Sequence, residues 1–374
     1  MSTDDLPPHD HAVRRDRLRG ELADHGIALL LVSDPVNVRY LTGFTGTYGR
    51  LLLAGDAGDD RLITDGRYTR RAAEQAPDLP AVLARDPVPT VIDALDGATP
   101  AADGGGLGVE ADHLTWAQAY GLEERIHPAG HHLVATEHLV GAQREVKDPA
   151  EIARLTRACA ITQEALAWLV AEVVAPGRTE RELATALERR FVDTGADGVA
   201  FPSIVAGGPN GATPHHEPGE RPLVRGELLT VDCGALVDGY HADHTRTVGL
   251  GRVGDHLVSV HALVERAQAA GRAAVVAGAT TGQVDAAARD VIDAAGYRES
   301  FVHGTGHGVG LEIHEAPGVA EGSADTLRAG TALTVEPGIY LPGTGGVRIE
   351  DTLVVTADGP ARPLTDTPRE LLVV

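Results

Sequence analysis

From about residue 149 onward the chain runs through the same rhythm twice, and this repeat constrains the fold more than any other feature of the sequence. Two helical stretches, at about 149–175 and 179–195, precede strand-like runs within 199–250. Two more, at about 254–278 and 282–296, precede runs within 301–356. The halves agree in the order of their elements and not in their letters. A pseudo-duplicated α+β unit of this kind brings two sheets together over one cleft, to which each half can contribute side chains.

Both halves place carboxylates where apolar residues are expected. In LTVDCGALVDGYHAD (229–243) an Asp-Gly turn signal separates two strand-like runs, which sets Asp232 and Asp243 nearly opposite one another. Asp232 follows the apolar run Leu228-Leu229-Thr230-Val231, so its carboxylate is predicted to be buried and to need a cation or hydrogen bonds. A lone aspartate there would more often cap a turn. In the second half LTVEPG (333–338) ends a strand in Glu336, VRIED (347–351) places Glu350 in the returning strand, and the turn at 342–346 lets the two face each other. One such hairpin is ordinary; two in one unit are not.

Between the hairpins lies HGTGHGVG (303–310), whose glycines allow close approach of the backbone to a ligand or a neighbouring strand. It lacks the Gly-Lys-Ser/Thr ending of a phosphate loop and the spacing of a dinucleotide fingerprint, which disfavours phosphate binding. His307 alone would be read as a core histidine; its weight comes from its company. Asp232, Asp243, Glu336 and Glu350 with one imidazole can hold two divalent cations, whose charge they formally balance. Oxygen-rich donors favour manganese or cobalt over a thiolate-bound zinc. Two ions about 3.5–4 Å apart can share a hydroxide, lower its pKa and clamp a tetrahedral oxyanion, which is the chemistry of amide hydrolysis. The rival His-Glu-x-x-His signature is absent, because His314-Glu315 has no histidine three residues on. A carboxylate-bridged redox protein would carry its glutamates on bundle helices rather than at strand ends.

Upstream, short apolar runs at 26–32 (GIALLLV), 50–54, 61–64 and 106–110 alternate with helical stretches at 66–76 and 114–126, an α/β pattern. A chain of 374 residues exceeds what one core usually serves. The expected domains are 1–138, a linker at 139–148, and 149–374, the last opening with Asp148 as N-cap and Pro149 at the first helical position. The formal charge of −22 repels polyanions, so nucleic acid and anionic membranes are not expected as partners; the acidity itself is read as solubility. Cys159 and Cys233 can build neither a disulfide framework nor a thiolate site, the segment 1–26 has no signal-peptide core, and no apolar run is long enough to span a bilayer. A cytoplasmic location is expected.

These residues resemble the blocks of the pita-bread metallopeptidase family, which holds aminopeptidase P, prolidase, methionine aminopeptidase and the metal-free creatinase. The resembling blocks are DCGALVDGYHADHTRT (232–247), HGTGHGVGLEIHE (303–315), EPGIY (336–340) and VRIED (347–351). VRYLTGFTGTYGRLLL (38–53) and LITDGRY (62–68) resemble the N-terminal domain of the creatinase, prolidase and aminopeptidase P branch, which methionine aminopeptidases lack. The implied fold is α+β: a pita-bread catalytic domain with a pseudo-twofold repeat, preceded by a smaller α/β creatinase-type domain.

The resemblance implies that Asp243 and Glu350 bridge two metals, that Asp232 chelates one, and that His307 and Glu336 complete the other. Glu336 would also carry the proton from the attacking water to the leaving nitrogen. His215 and His314 would polarise the scissile carbonyl and hold the tetrahedral intermediate, His216 being the alternative to His215 and otherwise structural. Arg348 and Tyr340 would orient Asp232, with Tyr340 and His303 lining the pocket for a proline ring. Asp65-Gly66-Arg67 reads as a turn into a helix, and Cys233 as filler. Two divalent ions per chain are implied, manganese first and cobalt, zinc or iron as alternatives, with proline-containing peptides as substrates and a homodimer as the assembly.

The implied activity is hydrolysis of the bond before a penultimate proline by an Xaa-Pro aminopeptidase; an Xaa-Pro dipeptidase (prolidase) is the alternative. A metal-free amidinohydrolase or pseudo-enzyme is disfavoured because all five ligands are present. A dipeptidase must hold the free carboxylate behind the proline, usually with an arginine or histidine. Beyond Arg348 the catalytic blocks carry only Arg246, so an open cleft and peptides longer than two residues are expected.

Overall fold

The computed structural model describes residues 6–97 and 106–374; residues 1–5 and 98–105, which the expected first domain includes, lie outside the described residues. Among the described residues the chain divides into two compact units, one of residues 8–144 and the other of residues 6–7 together with 145–374. Among the described residues no helix is long and apolar enough to cross a membrane.

The first unit is built on a six-stranded sheet: β1 (Ile27–Val32), β2 (Gly49–Ala54), β3 (Arg61–Thr64), β4 (Ala81–Leu83), β5 (Gly106–Glu110) and β6 (Leu133–Thr136), in the order β4-β3-β2-β1-β5-β6. β1 is central, antiparallel to β2 and parallel to β5, and covered on both faces, which is why its sequence is apolar throughout rather than alternating. Leu29, Leu31, Leu52, Ile63, Leu107 and Val109 form a core with Val91 of the helix Val88–Gly97 and Ile126 of the helix Trp116–Ile126. Four helices of this unit lie outside the helical stretches expected from the sequence: His11–Leu22, Pro35–Thr42, Val88–Gly97 and Leu139–Glu145. His11–Leu22 buries Arg14 and Arg15, whose guanidinium groups donate to the carbonyls of Tyr40 and Leu41, so it shows no apolar stripe. The expected linker 139–148 contains the helix Leu139–Glu145, with Val140 and Arg144 buried one turn apart.

In the second unit the four expected helices are Pro149–Trp168, Glu180–Asp193, Asp255–Ala274 and Thr281–Ala294. Three of them begin with reciprocal capping boxes, Asp148 with Glu151, Thr179 with Glu182 and Thr280 with Gln283, which satisfy backbone donors at their first turns.

The strands of the first half are β7 (Gly198–Val199), β8 (Ile204–Gly207), β9 (Leu228–Cys233), β10 (Ala235–Val237), β11 (Tyr240–His241) and β12 (His244–Gly249). β9 pairs with β12, and the same two arms continue as β10 and β11 in a separate sheet without losing register: Cys233 opposes His244 and Leu236 opposes His241. The turn between them has positive φ at Asp238 (45°) and Gly239 (77°), as a two-residue hairpin of the I′ kind requires.

The second half repeats the device with β13 (Gly306–Gly308), β14 (Glu315–Val319), β15 (Ala332–Val335), β16 (Gly338–Leu341), β17 (Gly345–Arg348), β18 (Asp351–Val354) and β19 (Arg362–Pro363). Val335 opposes Asp351 in one sheet and Gly338 opposes Arg348 in the next. Each half therefore contains one long hairpin that pauses midway. Glu336 and Glu350 fall opposite each other in the second pause, as expected from the sequence. Asp243 lies in the first pause, whereas Asp232 pairs with Thr245 inside the ladder, so the two aspartates are diagonal neighbours rather than directly opposed. Behind the pauses, Val260, Val264 and Ala267 of Asp255–Ala274 pack with Ile339, Val347 and Ile349, and Val284 of Thr281–Ala294 packs with Leu333, Val335 and Leu353.

Candidate metal centre and substrate cleft

The two hairpins meet at their pauses. The amide of Glu350 donates to Thr245 O at 3.1 Å and that of Glu336 donates to Thr305 O at 2.8 Å. An interrupted ladder frees these carboxylates from the outward alternation of a strand and turns them onto a common floor. Ligand atoms of Asp243, His307 and Glu350 all lie within 4.8 Å of one another. Nε2 of His307 is 3.5 Å from Oδ2 of Asp243 and 3.2 Å from Oε1 of Glu336.

The strand that carries His307 is threaded between two neighbours at a spacing only glycine permits. A Cβ on Gly306 would lie 2.1 Å from Thr334 O, and one on Gly308 would lie 2.1 Å from Ala316 O. Nδ1 of His307 is 3.0 Å from Gly308 O, an atom that can only accept, so the Nδ1 proton is fixed and Nε2 is the nitrogen turned to the carboxylates. Burial would lower the pKa of this imidazole, but the hydrogen bond and charge of Glu336 raise it.

Whether these residues fit cations can be judged from their unpaired atoms. Oδ2 of Asp232 accepts from Arg348 Nη2 at 2.7 Å and Oε2 of Glu350 accepts from Thr245 Oγ1 at 2.7 Å, yet Oδ1 of Asp232 and Oε1 of Glu350 are buried with no partner. A buried anionic oxygen without a donor is costly. Burial, and then the neighbouring carboxylates, hold Asp243 and Glu350 well above the usual carboxylate range. For Glu336 burial acts upward too, but the His307 hydrogen bond and the charges of His307, His303 and Arg348 bring it down to about 2. Divalent cations would complete the stranded oxygens and relieve the repulsion, so the donor set fits an oxygen-rich metal site.

A hydrogen-bonded chain runs away from Asp232. Arg348 Nη1 donates to the Tyr340 hydroxyl at 2.8 Å, and that hydroxyl donates to Nε2 of His303 at 2.8 Å, whose Nδ1 faces Gly304 O at 2.7 Å. Every donor and acceptor role in this chain is determined. Tyr340, pushed up to about 12 by burial, stays a phenol, and burial lowers the pKa of His303. Tyr340 lies behind His303 and Arg348 rather than on the cleft surface, and Glu350 lies beneath the floor.

His215, His303, His307 and His314 line one cleft of about 450 Å³ together with Asp232, Asp243, Glu336 and Arg348. His314 packs edge-on against His307 at 4.5 Å between ring centroids, and burial followed by the nearby His307 lowers its pKa. His216 also lines the cleft, but its Nε2 is committed to Glu180 at 2.8 Å. Phe201, Pro202, Ile204 and Ile313 give the cleft an apolar wall that the sequence did not single out; nor did it single out Thr245 and Thr334, whose hydroxyls reach Glu350 and Glu336. Threonines recur along these strands, and only the register distinguishes the two that face carboxylates. Asp65 accepts from the amide of Arg67 at 3.0 Å, capping a single turn as expected, and Cys159 and Cys233 are buried free thiols.

A duplicated α+β unit with an oxygen-rich donor set on the floor of its cleft defines the pita-bread metallopeptidases. The chain belongs to metallopeptidase family M24, whose profile matches residues 153–357, and the creatinase/prolidase N-terminal domain profile matches residues 14–146. It is 31% identical to the Xaa-Pro dipeptidase of Pyrococcus furiosus over 96% of this chain and 99% of that one. Among solved structures it resembles the Xaa-Pro dipeptidase from Bacillus anthracis (TM-score 0.91, 36% identity, covering 98% and 100% of the two chains). It also resembles the X-Pro aminopeptidase from Thermotoga maritima (TM-score 0.86, 31% identity, 96% and 99%). The family implies divalent metal ions.

Proposed function

We propose that this enzyme is a dinuclear-metal Xaa-Pro dipeptidase that hydrolyses the bond before proline. The observation that carries the choice is similarity along nearly the whole chain to proteins named Xaa-Pro dipeptidase, among them those from Bacillus anthracis and Pyrococcus furiosus. The sequence-based preference for a longer substrate gives way to this. In the proposed site Asp232, Asp243, His307, Glu336 and Glu350 would together hold two divalent ions. Bound ions supply the charge that lowers the pKa of the attacking water and stabilises the oxyanion. Glu336, an ionised carboxylate facing His307, takes up the proton and passes it to the leaving nitrogen. His215 and His314 donate to the carbonyl oxygen as it becomes tetrahedral, and His303 and the apolar wall hold the pyrrolidine ring. The oxygen-rich donors favour manganese. The reading also includes a homodimer in the cytoplasm, testable by light scattering and fractionation.

A second reading, an Xaa-Pro aminopeptidase, is favoured by one feature of the cleft. Arg348 is the single arginine or lysine among its described lining residues, and its guanidinium is already occupied by Asp232, Tyr340 and the carbonyl of Pro214. The test is kcat/KM for one Xaa-Pro dipeptide and its C-terminally extended tripeptide, using protein stripped of metal and reloaded with single ions. Preference for the dipeptide supports the proposal; efficient cleavage of the tripeptide makes the protein an aminopeptidase. Full activity in protein carrying less than about one ion per chain would remove the dinuclear reading.

A further inference from the structure

We propose that Glu180, at the start of the helix Glu180–Asp193, is a positioning residue that holds His215 at the cleft through a buried network completed by His216. The inference rests on the peptidase reading of the cleft and concerns a carboxylate outside it.

The Glu180 side chain is wholly buried, with relative exposure of 0%. Its carboxylate receives four hydrogen bonds. Oε1 accepts from the Gly207 amide at 2.9 Å and from Asn210 Nδ2 at 2.8 Å; Oε2 accepts from His216 Nε2 at 2.8 Å and from the Gly219 amide at 3.1 Å. The donors come from both ends and the interior of one segment, 207–219, which leaves β8 and returns toward β9. Apart from one short turn at Gly208–Ala212 this segment has no regular structure to hold its shape. Its outgoing arm is also strapped to the helix entry, where Arg181 N donates to Gly219 O at 3.0 Å and Leu223 N to Arg178 O at 2.8 Å. The helix start therefore clamps the whole segment, and Glu180 is the side chain that reaches inside it.

His215 is bracketed by two anchors. On one side the carbonyl of Pro214 accepts from Arg348 Nη1 at 3.3 Å, the guanidinium that also holds Asp232; on the other side the His216 imidazole is pinned to Glu180. Between them His215 is exposed to the cleft, while the partly buried His216 on the same wall turns its Nε2 to Glu180. The doubled histidine thus divides into one that meets substrate and one that fixes the backbone beneath it. Because a carboxylate only accepts, Nε2 of His216 carries a proton in this pair. Burial alone would raise the pKa of Glu180, and its hydrogen bonds, led by the Gly207 amide and His216, bring it below the usual value. A neutral glutamine of the same shape would turn an amide nitrogen toward two of the four donors and leave them unpaired.

The test compares Glu180→Gln, His216→Leu and His216→Gln in the metal-loaded full chain. Kinetics on an Xaa-Pro dipeptide, metal content and amide hydrogen exchange would be measured for each. Glu180→Gln and His216→Leu are expected to lose about 10- to 100-fold in kcat with little change in KM or metal content. Exchange should accelerate within 207–219 and not across the other strands of the unit. His216→Gln, whose amide N–H can reach Glu180, should recover to within about a factor of five. Wild-type kcat in Glu180→Gln overturns the proposal, as does a loss that follows metal content or faster exchange throughout the unit. Should Glu180→Gln fail to fold, the two His216 variants decide: equal losses in both overturn the proposal, and recovery by glutamine upholds it. Inactive wild-type protein would refute the peptidase reading, while exchange of 207–219 would still separate a clamped segment from a free one.

Discussion

Arg348 donates from Nη2 to Oδ2 of Asp232 across 2.7 Å and leaves Oδ1, also buried, facing the floor of the cleft without a partner. One carboxylate is thus steered by the protein and turned toward a ligand at once. Arg348→Lys keeps the charge but cannot reach Asp232, Tyr340 and Pro214 together, since it lacks the planar fork. We expect a loss of about 10- to 100-fold in metal affinity or activity, read by metal titration and steady-state kinetics. Unchanged values for both would show that Asp232 needs no steering.

Glu336 lines the cleft beside His307, with Thr334 Oγ1 3.3 Å from its Oε1. Glu336→Gln preserves the shape and removes the capacity to take a proton. We expect kcat to fall about 10²- to 10⁴-fold for a general base in this position, measured at saturating metal with the ion content verified. A fall of less than tenfold would move the proton transfer to another group.

His261 gives the fold a pH dependence of known sign. Burial pushes its imidazole from the ordinary 6.5 down to about 4. Between those values the unfolded chain binds a proton at this site and the folded chain does not, so stability falls as pH drops through that window and is complete above it. One such group contributes roughly 1.4 kcal/mol per pH unit. Denaturant midpoints measured from pH 7 to pH 4 should fall less steeply, by one proton, in His261→Gln than in the parent. Equal slopes would contradict the assignment.

A methyl group at Gly306 would lie 2.1 Å from a backbone oxygen of β15, whereas one at Gly318 in β14 meets nothing within 4 Å. Gly306→Ala is therefore expected to cost on the order of 1–3 kcal/mol and to weaken metal binding through His307. Gly318→Ala should stay within about 0.5 kcal/mol. Thermal melts of both variants, with and without added metal, separate the two.

What the sequence revealed and what it hid have the same physical root. Asp232 and Glu336 are legible because each ends an apolar run with a charge that burial makes expensive. His307 is legible only through the company of those carboxylates, since a histidine alone in a glycine-rich run reads as a core residue. Glu180 is invisible for the opposite reason: an acidic residue in the first turn of a helix is ordinary, and nothing in the letters tells a wholly buried one from a solvated one. The helix His11–Leu22 is hidden because arginines occupy its inner face. The diagonal placement of Asp232 and Asp243 depends on register, which an Asp-Gly turn signal suggests but does not fix to the residue.

The paired pauses also set what the chain can tolerate in length. Along a strand a one-residue shift turns every following side chain to the opposite face. Since the register runs unbroken through both pauses, an added or deleted residue at 234, 242–243, 336–337 or 349–350 would carry a carboxylate off the shared floor and reverse an entire arm of the hairpin. At the exposed tip 342–344 the same change only lengthens a loop. Variation in length among descendants of this chain should therefore gather at the tips of its hairpins and avoid their midpoints.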